Sequence, residues 1–445
     1  MNLTKLPRYI LLLFAVFFAA ISLSAENPIV YDFGMADPHI RIFNNKAYLF
    51  TTRDAQKDAK TFIMPDWHIW SSDDLVNWKH ETTIYPSETY MGKSTNCWAP
   101  DAVEKNGKYY FYFSNKNINT GVMVADSPTG PYNDALGKPM LDIDLTPTKE
   151  YDPTVLIDDD GVAYIVFGHY RKTDPDLDFY IARLDSDMIS LAEEPKSIEI
   201  KGDLNVLGGN DKPNLHKKNG LYYLSAGSHY ATATNIYGPY TRRGNSGNNN
   251  YGLTGRAHGN YFDWNNQSFH TWCHFHLGKD VGRYRESYIT YLHYKDNGEM
   301  VSDVNFLDQH FETGVGQYDA TWDKIQAEWY MASQYVKKKE GVNGGFEISA
   351  IENGATLFFP NLANLDKVKT LSFYMSSTGK STIEIYDDIQ NGKLIGTCQI
   401  GDTGSKDRYK KFTCKLNNLS EAGNLYLKFT DVGGLLNVDW FQFNK

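Results

Sequence analysis

Short apolar runs separated by polar turns make up most of the chain, and the first of them shows the pattern clearly. Residues 31–52 read YDFGMADPHIRIFNNKAYLFTT, with an acid before a proline, an alternating run, an Asn-Asn turn and an aromatic run. Pro38 disfavours the helical conformation at Asp37, and apolar alternation around a polar turn is typical of a β-hairpin. The stretch therefore predicts a hairpin with a carboxylate fixed at its entry.

The same arrangement of a polar residue, a turn and an aromatic strand occurs five times. The repeats are led by residues 37, 101, 152, 211 and 258, at steps of 47 to 64 residues. Repeats of this length built from short strands are typical of a β-propeller with one four-stranded blade per repeat. Residues 26–317 are therefore predicted to form a five-bladed β-propeller, with Asp37, Asp152 and Asp211 around one axis. A β-sandwich with coincidental hairpins is the alternative interpretation.

The pattern changes after residue 317. A Lys-rich and Gly-rich stretch leads into short strands of β-branched and aromatic residues. Regular strand spacing of this kind predicts a separate β-sandwich, or jelly roll, over residues 318–445. The predicted fold class is all-β throughout.

Residues 1–25 have the pattern of a secretory signal peptide. Lys5 and Arg8 precede an apolar run at 10–21, and small residues lead to a predicted cleavage site after Ala25. The apolar run is short for a membrane span, so no stable membrane span is expected after cleavage. The mature chain is expected to be secreted or periplasmic.

Composition narrows the choice of partner. Hydrophobic residues are 41% and charged residues 22% of the chain, which is typical of a globular protein, and the aromatic share of 14% suits a β-rich fold and carbohydrate contact. The formal net charge of −10 and the absence of a basic stripe argue against nucleic acid as a partner.

Four cysteines remain to be interpreted. Cys398 and Cys414 lie on neighbouring predicted strands and could form a disulfide in an exported protein. Cys97 and Cys273 lie far apart in aromatic, strand-rich segments. No Cys-His spacing favours a metal site or a nucleophile there, so these two are interpreted as buried thiols.

The first domain resembles glycoside hydrolase family 43, a family of five-bladed propeller enzymes that trim arabinose- and xylose-containing polysaccharides. The resemblance rests on motifs that occur in the family's order: Ala36-Asp37-Pro38, Trp98-Ala99-Pro100-Asp101, Tyr151-Asp152-Pro153, Pro213-Asn214-Leu215 with Tyr222-Tyr223-Leu224, and Arg285 before Asp296-Asn297-Gly298. The second domain resembles a family 6 carbohydrate-binding module through Gln326-Ala327-Glu328, Ile351-Glu352-Asn353-Gly354 and Asn437-Val438-Asp439-Trp440-Phe441.

The first resemblance implies a catalytic set of three carboxyl groups. Inverting glycosidases use one carboxylate to activate water and one carboxylic acid to protonate the leaving oxygen. By resemblance, Asp37 is the general base, Asp152 raises the pKa of the acid and orients it, and Asp211 is the general acid. The residue types point the same way, because acids gathered on one axis cannot all ionise cheaply and one is driven toward its protonated form. A turn cap before Pro38 is the structural alternative for Asp37.

The acid position departs from the family pattern. The family has glutamate two residues before the proline, whereas this chain has Asp211 there, one methylene shorter. Three outcomes remain open: a shifted backbone or sugar, weak acid catalysis, or sugar binding without cleavage. The neighbouring Lys212 would lower the pKa of an acid beside it, but its side chain is expected to point away along the strand.

Aromatic residues near the pocket mouth are candidates for stacking on sugar rings. Trp98 is the first candidate, followed by Trp67 and Tyr151, and ordinary packing between blades is the alternative for each. Arg285 corresponds to a family arginine that contacts the sugar, with a salt bridge to Glu286 or another acid as the alternative.

Two metal sites are implied by the resemblances. Family 43 members often hold calcium or sodium on the axis beside a histidine, a position that His258 or His274 would fill here; a satisfied core histidine is the alternative. Gln326, Glu328 and Asp439 match the residues that hold structural calcium in family 6 modules, and oxygen ligands suit a hard cation. No organic cofactor is expected.

The sugar platform expected of the second domain is incomplete. The family's two aromatic positions are occupied by Thr356 and by the polar stretch Ser405-Lys406-Asp407, and Asn437 is the remaining match to a sugar contact. The module is therefore expected to act as a structural partner or to bind through another surface.

Together these features predict an exo-acting inverting glycosidase that removes terminal α-L-arabinofuranosyl or β-xylosyl units from plant polysaccharide. A carbohydrate-binding propeller without turnover and a glycosidase for galactose-containing glycans are the alternatives.

Overall fold

The computed structural model describes residues 27–171, 178–202, 212–247, 250–253, 258–275, 277–278, 280–388 and 392–445. The predicted signal peptide at 1–25 and the predicted general acid Asp211 lie outside these residues. The described part is almost entirely β-structure arranged as seven sheets, which confirms the all-β prediction.

Five of the sheets are the blades of a propeller, as predicted. Four blades have four antiparallel strands in chain order, and the fourth blade adds a short fifth strand that runs parallel to its outermost strand. From the innermost strand outward, the strands are Met35–Phe43, Lys46–Arg53, Trp67–Ser72 and Lys79–Ile84 (blade 1); Cys97–Lys105, Lys108–Asn115, Asn119–Ala125 and Asn133–Asp134 (blade 2); Thr154–Ile157, Ala163–Gly168, Phe179–Arg183 and Lys196–Ser197 (blade 3); Pro213–Lys218, Leu221–Ala226, His229–Ala233, Tyr240–Asn245 and the added Ile200–Lys201 (blade 4); and Tyr261–Trp264, Gln267–His274, Glu286–Tyr294 and Met300–Ser302 (blade 5).

Two-residue turns explain why the first two strands of each blade pair so regularly. In blades 1, 2, 4 and 5 both turn residues have positive φ, as in a type I′ turn, whose twist matches that of the strands. The turns are Asn44-Asn45, Asn106-Gly107, Asn219-Gly220 and Asn265-Asn266. Asparagine and glycine tolerate this conformation better than other residues, so the polar turns seen in the sequence fix the register of each hairpin.

The innermost strands build two rings of residues around the axis. The first ring consists of Asp37, Ala99, Asp152, Lys212 and His258, and the second ring lies two residues further along each strand, at His39, Asp101, Thr154, Asn214 and Asn260. Residues two apart on a strand share one face, so both rings belong to the axial side. In blades 1 to 4 a proline follows the first-ring residue.

The second ring corrects one sequence assignment. Asp101 leads the second repeat in the sequence pattern, but Ala99 occupies the place equivalent to Asp37. In both strands the pairing register shifts over this bulge, between Ala36 and His39 and between Trp98 and Asp101. Because the sequence repeats were aligned on their acidic residues, the leading residue of the second repeat was placed at Asp101, two positions after the equivalent Ala99.

The second ring ties neighbouring blades together. Asp101 is fully buried and accepts two bonds from the Arg41 guanidinium, at 2.9 and 2.6 Å, and a third from the Val155 amide at 2.8 Å. Asn214 Nδ2 lies 3.2 Å from the Nε2 atom of His39. A buried charge is tolerated when it is paired and hydrogen-bonded, and this network closes the base of the axis with polar groups in contact.

Two six-stranded sheets form the sandwich. The first contains Tyr318–Asp319, Ala332–Gln334, Thr356–Ala363, Ser381–Tyr386, Leu394–Ile400 and Ala422–Thr430, and the second contains Ile325–Gln326, Lys337–Glu340, Phe346–Ser349, Thr370–Ser377, Lys410–Lys415 and Leu436–Asn444. One α-helix, Val304–His310, and the short 3₁₀ helices Pro86–Glu88, Asn250–Gly252, Ala327–Trp329 and Leu365–Lys367 complete the described elements. No helix within the described ranges is long and apolar enough to cross a membrane.

Blade 5 and the sandwich share one buried interface. Trp329 Nε1 donates to the Asp303 carboxylate at 2.6 Å, and Gln267 Nε2 donates to the Glu328 carbonyl at 2.9 Å. Lys338 is buried there and donates to Gln267 Oε1 at 2.6 Å. Apolar side chains of both domains form one continuous core around these bonds, so the two domains pack as one body.

The four cysteines are present as thiols. Cys97 and Cys273 are buried, as predicted, and burial raises the pKa of the Cys273 thiol to about 11. Cys398 and Cys414 lie on strands of opposite sandwich sheets, and a hydrogen bond between their thiols raises the pKa of Cys398 and lowers that of Cys414. The predicted disulfide between Cys398 and Cys414 stays a prediction.

Candidate active site

A pocket of about 410 Å³ lies at the end of the propeller axis, above the first ring. Its walls come from blades 1, 2, 3 and 5 and from the loops between them. The lining residues are Asp37, Phe62, Met64, Trp98, Asp152, His169, Arg171, His258, Phe275, Arg283 and Arg285. Residues more than 200 positions apart in the sequence thus meet in one cavity.

Asp37 lies at the base of this pocket and is 2% exposed. Its φ of 51° is in the left-handed region, which a non-glycine residue seldom adopts. This conformation coincides with the register shift between Ala36 and His39, and the Asp37 carboxylate lines the pocket. Such backbone outliers cluster at functional sites, so the geometry favours a catalytic Asp37 over a turn cap.

Two cationic partners hold the Asp37 carboxylate. Arg285 Nη1 and His258 Nδ1 lie 2.7 and 2.8 Å from its Oδ1 atom. Burial raises the pKa of Asp37, but the opposing charges of Arg285 and His258 outweigh burial and hold that pKa well below its usual range. Asp37 is therefore ionised and able to accept a proton from water.

Asp54 fixes Arg285 from the other side. Its carboxylate accepts bonds from the Arg285 amide at 2.9 Å, from Nε at 2.9 Å and from Nη2 at 3.1 Å. The sequence alternative for Arg285 was a salt bridge with Glu286 or another acid; Glu286 accepts from the amides of Gly34 and Met35, and the salt bridges are made with other acids. Arg285 thus lines the pocket as predicted, while its ion pairs are with Asp37 and Asp54.

Asp152 enters the same pocket from blade 3. It has the same backbone conformation as Asp37, with a φ of 56° before Pro153. Its amide donates to Ser114 Oγ at 2.7 Å, and that hydroxyl donates to Asp152 Oδ1 at 3.3 Å. Two carboxyl groups from blades 1 and 3 therefore line one cavity. An inverting glycosidase needs a general base and a general acid in such a cavity, and the candidate acid, Asp211, lies outside the described residues.

The position of the Lys212 side chain differs from the sequence prediction. Its side chain was expected to point away from the axis, but it is 1% exposed and its Nζ atom donates to the Pro100 carbonyl at 3.0 Å. Its φ of 52° before Pro213 repeats the conformation of Asp37 and Asp152. Lys212 thus shares with Asp37 and Asp152 the positive φ before a proline, and in blades 1, 3 and 4 the side chain at this position turns inward.

The three aromatic predictions have different outcomes. Trp98 is half-buried, lines the pocket and meets Phe62 edge to face at 5.9 Å. Trp67 is fully buried and packs 4.8 Å from Phe113, so it serves the packing between blades 1 and 2 and was wrongly expected at the sugar. Tyr151 is also buried, and its hydroxyl lies 3.0 Å from the Nδ1 atom of His169.

Of the two histidines proposed beside an axial ion, only one lies on the axis. His258 belongs to the first ring and contacts Asp37. His274 is exposed at the end of its strand and packs against Gly252. The structure therefore does not place His274 at an axial ion.

The sequence interpretation missed several wall residues. Phe62, His169, Arg171, Phe275 and Arg283 come from loops or strand ends that carry no motif. Arg283 lies two residues before Arg285, and its guanidinium is 5.5 Å from the Phe62 ring. The one available signal was this i, i+2 spacing of arginines, which places both side chains on one side of an extended segment.

The predicted calcium ligands of the sandwich lie together. Gln326 Oε1 and Glu328 Oε2 are buried and have no hydrogen-bond partner among the described residues. Burial raises the pKa of Glu328, and the nearby charges of Asp303 and Asp439 raise it further. Asp439 accepts a bond from Asn343 Nδ2 at 3.0 Å. Within the described ranges no three His, Cys, Asp or Glu side chains cluster as a metal site, so amide and carbonyl oxygens would have to complete one.

Fold and site together define a propeller glycosidase, and comparison with known proteins specifies the family. The profile of glycosyl hydrolases family 43 matches residues 25–300, and that of carbohydrate binding module family 6 matches residues 326–445. The chain belongs to glycosyl hydrolase family 43 and carries a family 6 module. It is thus a glycoside hydrolase of a family that inverts the anomeric configuration.

Relatives and solved structures agree with this assignment. The arabinoxylan arabinofuranohydrolase of Paenibacillus polymyxa is 27% identical, over 94% of this chain and 74% of that protein. The xylosidase/arabinosidase of Bacteroides ovatus is 32% identical, over 47% of this chain and 77% of that protein. A family 43 arabinoxylan arabinofuranohydrolase from Bacillus subtilis, solved with cellotetraose, has a TM-score of 0.55 at 22% identity, over 95% of this chain and 99% of that chain, which shows the shared fold. A family 43 β-xylosidase/α-arabinofuranosidase from a compost metagenome, solved with xylotriose in a calcium-free form, has a TM-score of 0.53 at 27% identity, over 63% and 97% of the two chains.

We expect the Asp37→Asn substitution to lower kcat/KM by at least about 100-fold, the usual contribution of a general base. The amide can still bond with Arg285 and His258 but cannot take a proton from water. The measurement is initial-rate kinetics on an aryl glycoside. The control is Asp73→Asn, which removes a surface pair with Lys46. Activity close to that of the wild type in Asp37→Asn would exclude Asp37 as the base.

Proposed function

We propose that the protein is an exo-acting inverting glycosidase that releases terminal α-L-arabinofuranosyl units, or β-xylosyl units, from plant polysaccharide. The observation that carries the proposal is the joint placement of Asp37 and Asp152 at the base of one pocket beneath an aromatic rim. Trp98 and Phe62 supply ring faces on which the C–H groups of a sugar can stack.

The shape of the pocket supports exo action. The second ring closes the base of the axis, since its five members are at most 3% exposed. A pocket with a closed base accepts the end of a glycan chain, whereas an open groove accepts an internal segment. The volume of about 410 Å³ lies within the range of small-molecule sites.

The names of the relatives support arabinofuranose or xylose as the sugar that is released. Proteins similar over most of this chain are named arabinoxylan arabinofuranohydrolases, and shorter matches are named xylosidase/arabinosidase. One relative, 28% identical over 62% of this chain, is named a β-D-galactofuranosidase, which supports a galactose-containing substrate as the second candidate.

The proposed mechanism assigns one role to each carboxyl group. Asp37 takes a proton from a water that attacks the anomeric carbon, while the bond from that carbon to the leaving oxygen breaks. The general acid gives its proton to the leaving oxygen, and Asp211 remains our candidate for it. Asp152, held by Ser114, orients the acid and raises its pKa by like charge. Attack opposite the leaving group inverts the configuration.

The function is tested by product analysis of the wild type and the Asp211→Asn variant. Wild type is expected to release arabinose from 4-nitrophenyl α-L-arabinofuranoside and arabinoxylan, with the β-anomer first in proton NMR. Asp211→Asn is expected to lose turnover of arabinoxylan, because its leaving group needs protonation. Retained turnover would exclude Asp211 as the acid. Binding without cleavage by wild type would favour a non-catalytic propeller, and cleavage of β-galactofuranosides alone would favour the second candidate.

We further propose that the sandwich binds one structural calcium ion. The buried unpaired oxygens of Gln326 and Glu328, close to Asp439, form an oxygen-rich donor set that suits a hard cation. Equilibrium dialysis is expected to show one bound calcium that Glu328→Gln releases, and unchanged binding in that variant would contradict the assignment.

A sheet face of the sandwich is our candidate for glycan binding. Asn437, the remaining match to a sugar contact, is buried and bonds to Ser376 Oγ and to the Lys406 carbonyl, both at 3.2 Å. By contrast, Tyr374 and Trp440 stack at 5.0 Å on adjacent strands and are half-buried. Lys411, with its Nζ atom 4.9 Å from the Trp440 ring, adds a hydrogen-bond donor beside the rings.

We expect Trp440→Ala to weaken binding of xylo- or cello-oligosaccharides at least tenfold, since stacking on the indole would be lost. The measurement is isothermal titration calorimetry in the Asp37→Asn background, which prevents cleavage of the ligand during the titration. The matched control is Tyr335→Ala, an aromatic residue of the same domain that is 63% exposed. Equal affinities of Trp440→Ala and the control would assign binding to another surface.

We also propose that the protein is exported. The signal-like segment at residues 1–25 supports delivery of the enzyme to the periplasm or the medium, where polymeric substrates are found.

A further inference from the structure

Lys212 is a fully desolvated cation that the proposed mechanism does not use. It is 1% exposed, and burial lowers its pKa against the charges of Asp152, Asp101 and Asp37, which raise it. An unpaired ammonium would be costly at this depth. The charges of these three carboxylates therefore compensate for its burial.

The repeat explains how this lysine reaches the axis. Asp37, Asp152 and Lys212 each precede a proline and each have a φ between 51° and 56°. They are thus equivalent first-ring positions in blades 1, 3 and 4. With His258, which lies 2.8 Å from Asp37, the first ring carries two acids and two basic side chains around the floor of the pocket.

A backbone carbonyl holds the ammonium in place. The Pro100 oxygen accepts from Lys212 Nζ at 3.0 Å, and His39 Nδ1 lies 3.1 Å from the same oxygen. Burial and the charge of Lys212 lower the pKa of His39 well below its usual value, although Asp101 opposes them. His39 is therefore neutral, so of the two side chains beside the Pro100 carbonyl only Lys212 carries a positive charge.

The axial metal implied by the family resemblance does not fit these residues. His258 Nδ1 lies 2.8 Å from Asp37 Oδ1 and pairs with it. A metal ion on the axis would also face the Lys212 ammonium in a medium where like charges repel strongly. No reaction step is therefore assigned to an axial metal.

We propose that Lys212 is the resident cation of the propeller axis, a positioning residue whose ammonium holds Asp37 and Asp152 as an ionised pair and takes the place of a bound metal ion. For its effect on turnover this inference rests on the proposed function. The charged and titratable groups that face the ring, in addition to the pair itself, are His39, Asp54, Asp101, His169, Arg171, His258, Cys273, Arg283 and Arg285.

The first test compares pH profiles of kcat/KM for wild type, Lys212→Met and Lys212→Arg. Asp37 must be ionised to act, and Lys212 helps to lower its pKa. Loss of the charge in Lys212→Met is expected to move the acid limb up by about one pH unit, as for loss of a nearby opposite charge. Lys212→Arg is expected to keep the wild-type limb. A limb that does not move in folded Lys212→Met would overturn the proposal.

The second test does not require turnover, so it separates this inference from the proposed function. Calcium is counted by equilibrium dialysis in wild type, Glu328→Gln and His258→Ala. Any calcium is expected to be lost in Glu328→Gln and kept in His258→Ala, since that result places the ion in the sandwich and leaves the axis to Lys212. Absence of bound calcium supports the proposal as well. A calcium ion that Glu328→Gln keeps and His258→Ala loses would lie on the axis and would overturn it.

Discussion

The balance of charge on the propeller axis is the constraint on which the rest of this site depends. Asp37, Asp54, Asp101 and Asp152 are each at most 2% exposed, and carboxylates at that depth are stable only beside cations or donors. Arg285 serves the first two, Arg41 the third, and the charge of Lys212 reaches Asp37, Asp101 and Asp152. Because each cation comes from a different blade, the same pairs that neutralise the axis also hold the blades in register.

The repeat supplies the geometry for this balance. Each blade contributes two inward-facing positions that are two residues apart. The five blades together therefore form two stacked rings of side chains. The upper ring carries the reacting groups, whereas the lower ring, from His39 to Asn260, is buried and closes the floor. The residues proposed for catalysis and the residues that close the floor thus lie two positions apart on the same segments of chain.

Much of this was predictable because it depends on local pattern. Hairpins with Asn-Asn or Asn-Gly turns, five repeats and the acids before Pro38 and Pro153 all follow from short stretches of sequence. The error at Lys212 arose because the repeats were aligned on acidic residues. Alignment on the residue before each proline would have placed Lys212 beside Asp37 and Asp152 and moved Asp101 to the second ring.

The remaining features depend on contacts that no local pattern encodes. Asp54 and Arg285 are 231 residues apart, and their pairing requires the ring of blades to close. Trp67 and Trp98 look alike in the sequence, but the first is enclosed between two blades while the second borders the pocket. Which aromatic residue meets the sugar is decided by packing between blades.

The most direct measurement of the central claim is a crystal structure of the Asp37→Asn protein with an arabinose-substituted xylo-oligosaccharide. The account predicts a terminal sugar bound against Trp98, with its anomeric carbon between residue 37 and Asp152 and the Lys212 ammonium beneath them. A sugar bound elsewhere, or residues 37 and 152 facing different cavities, would contradict it.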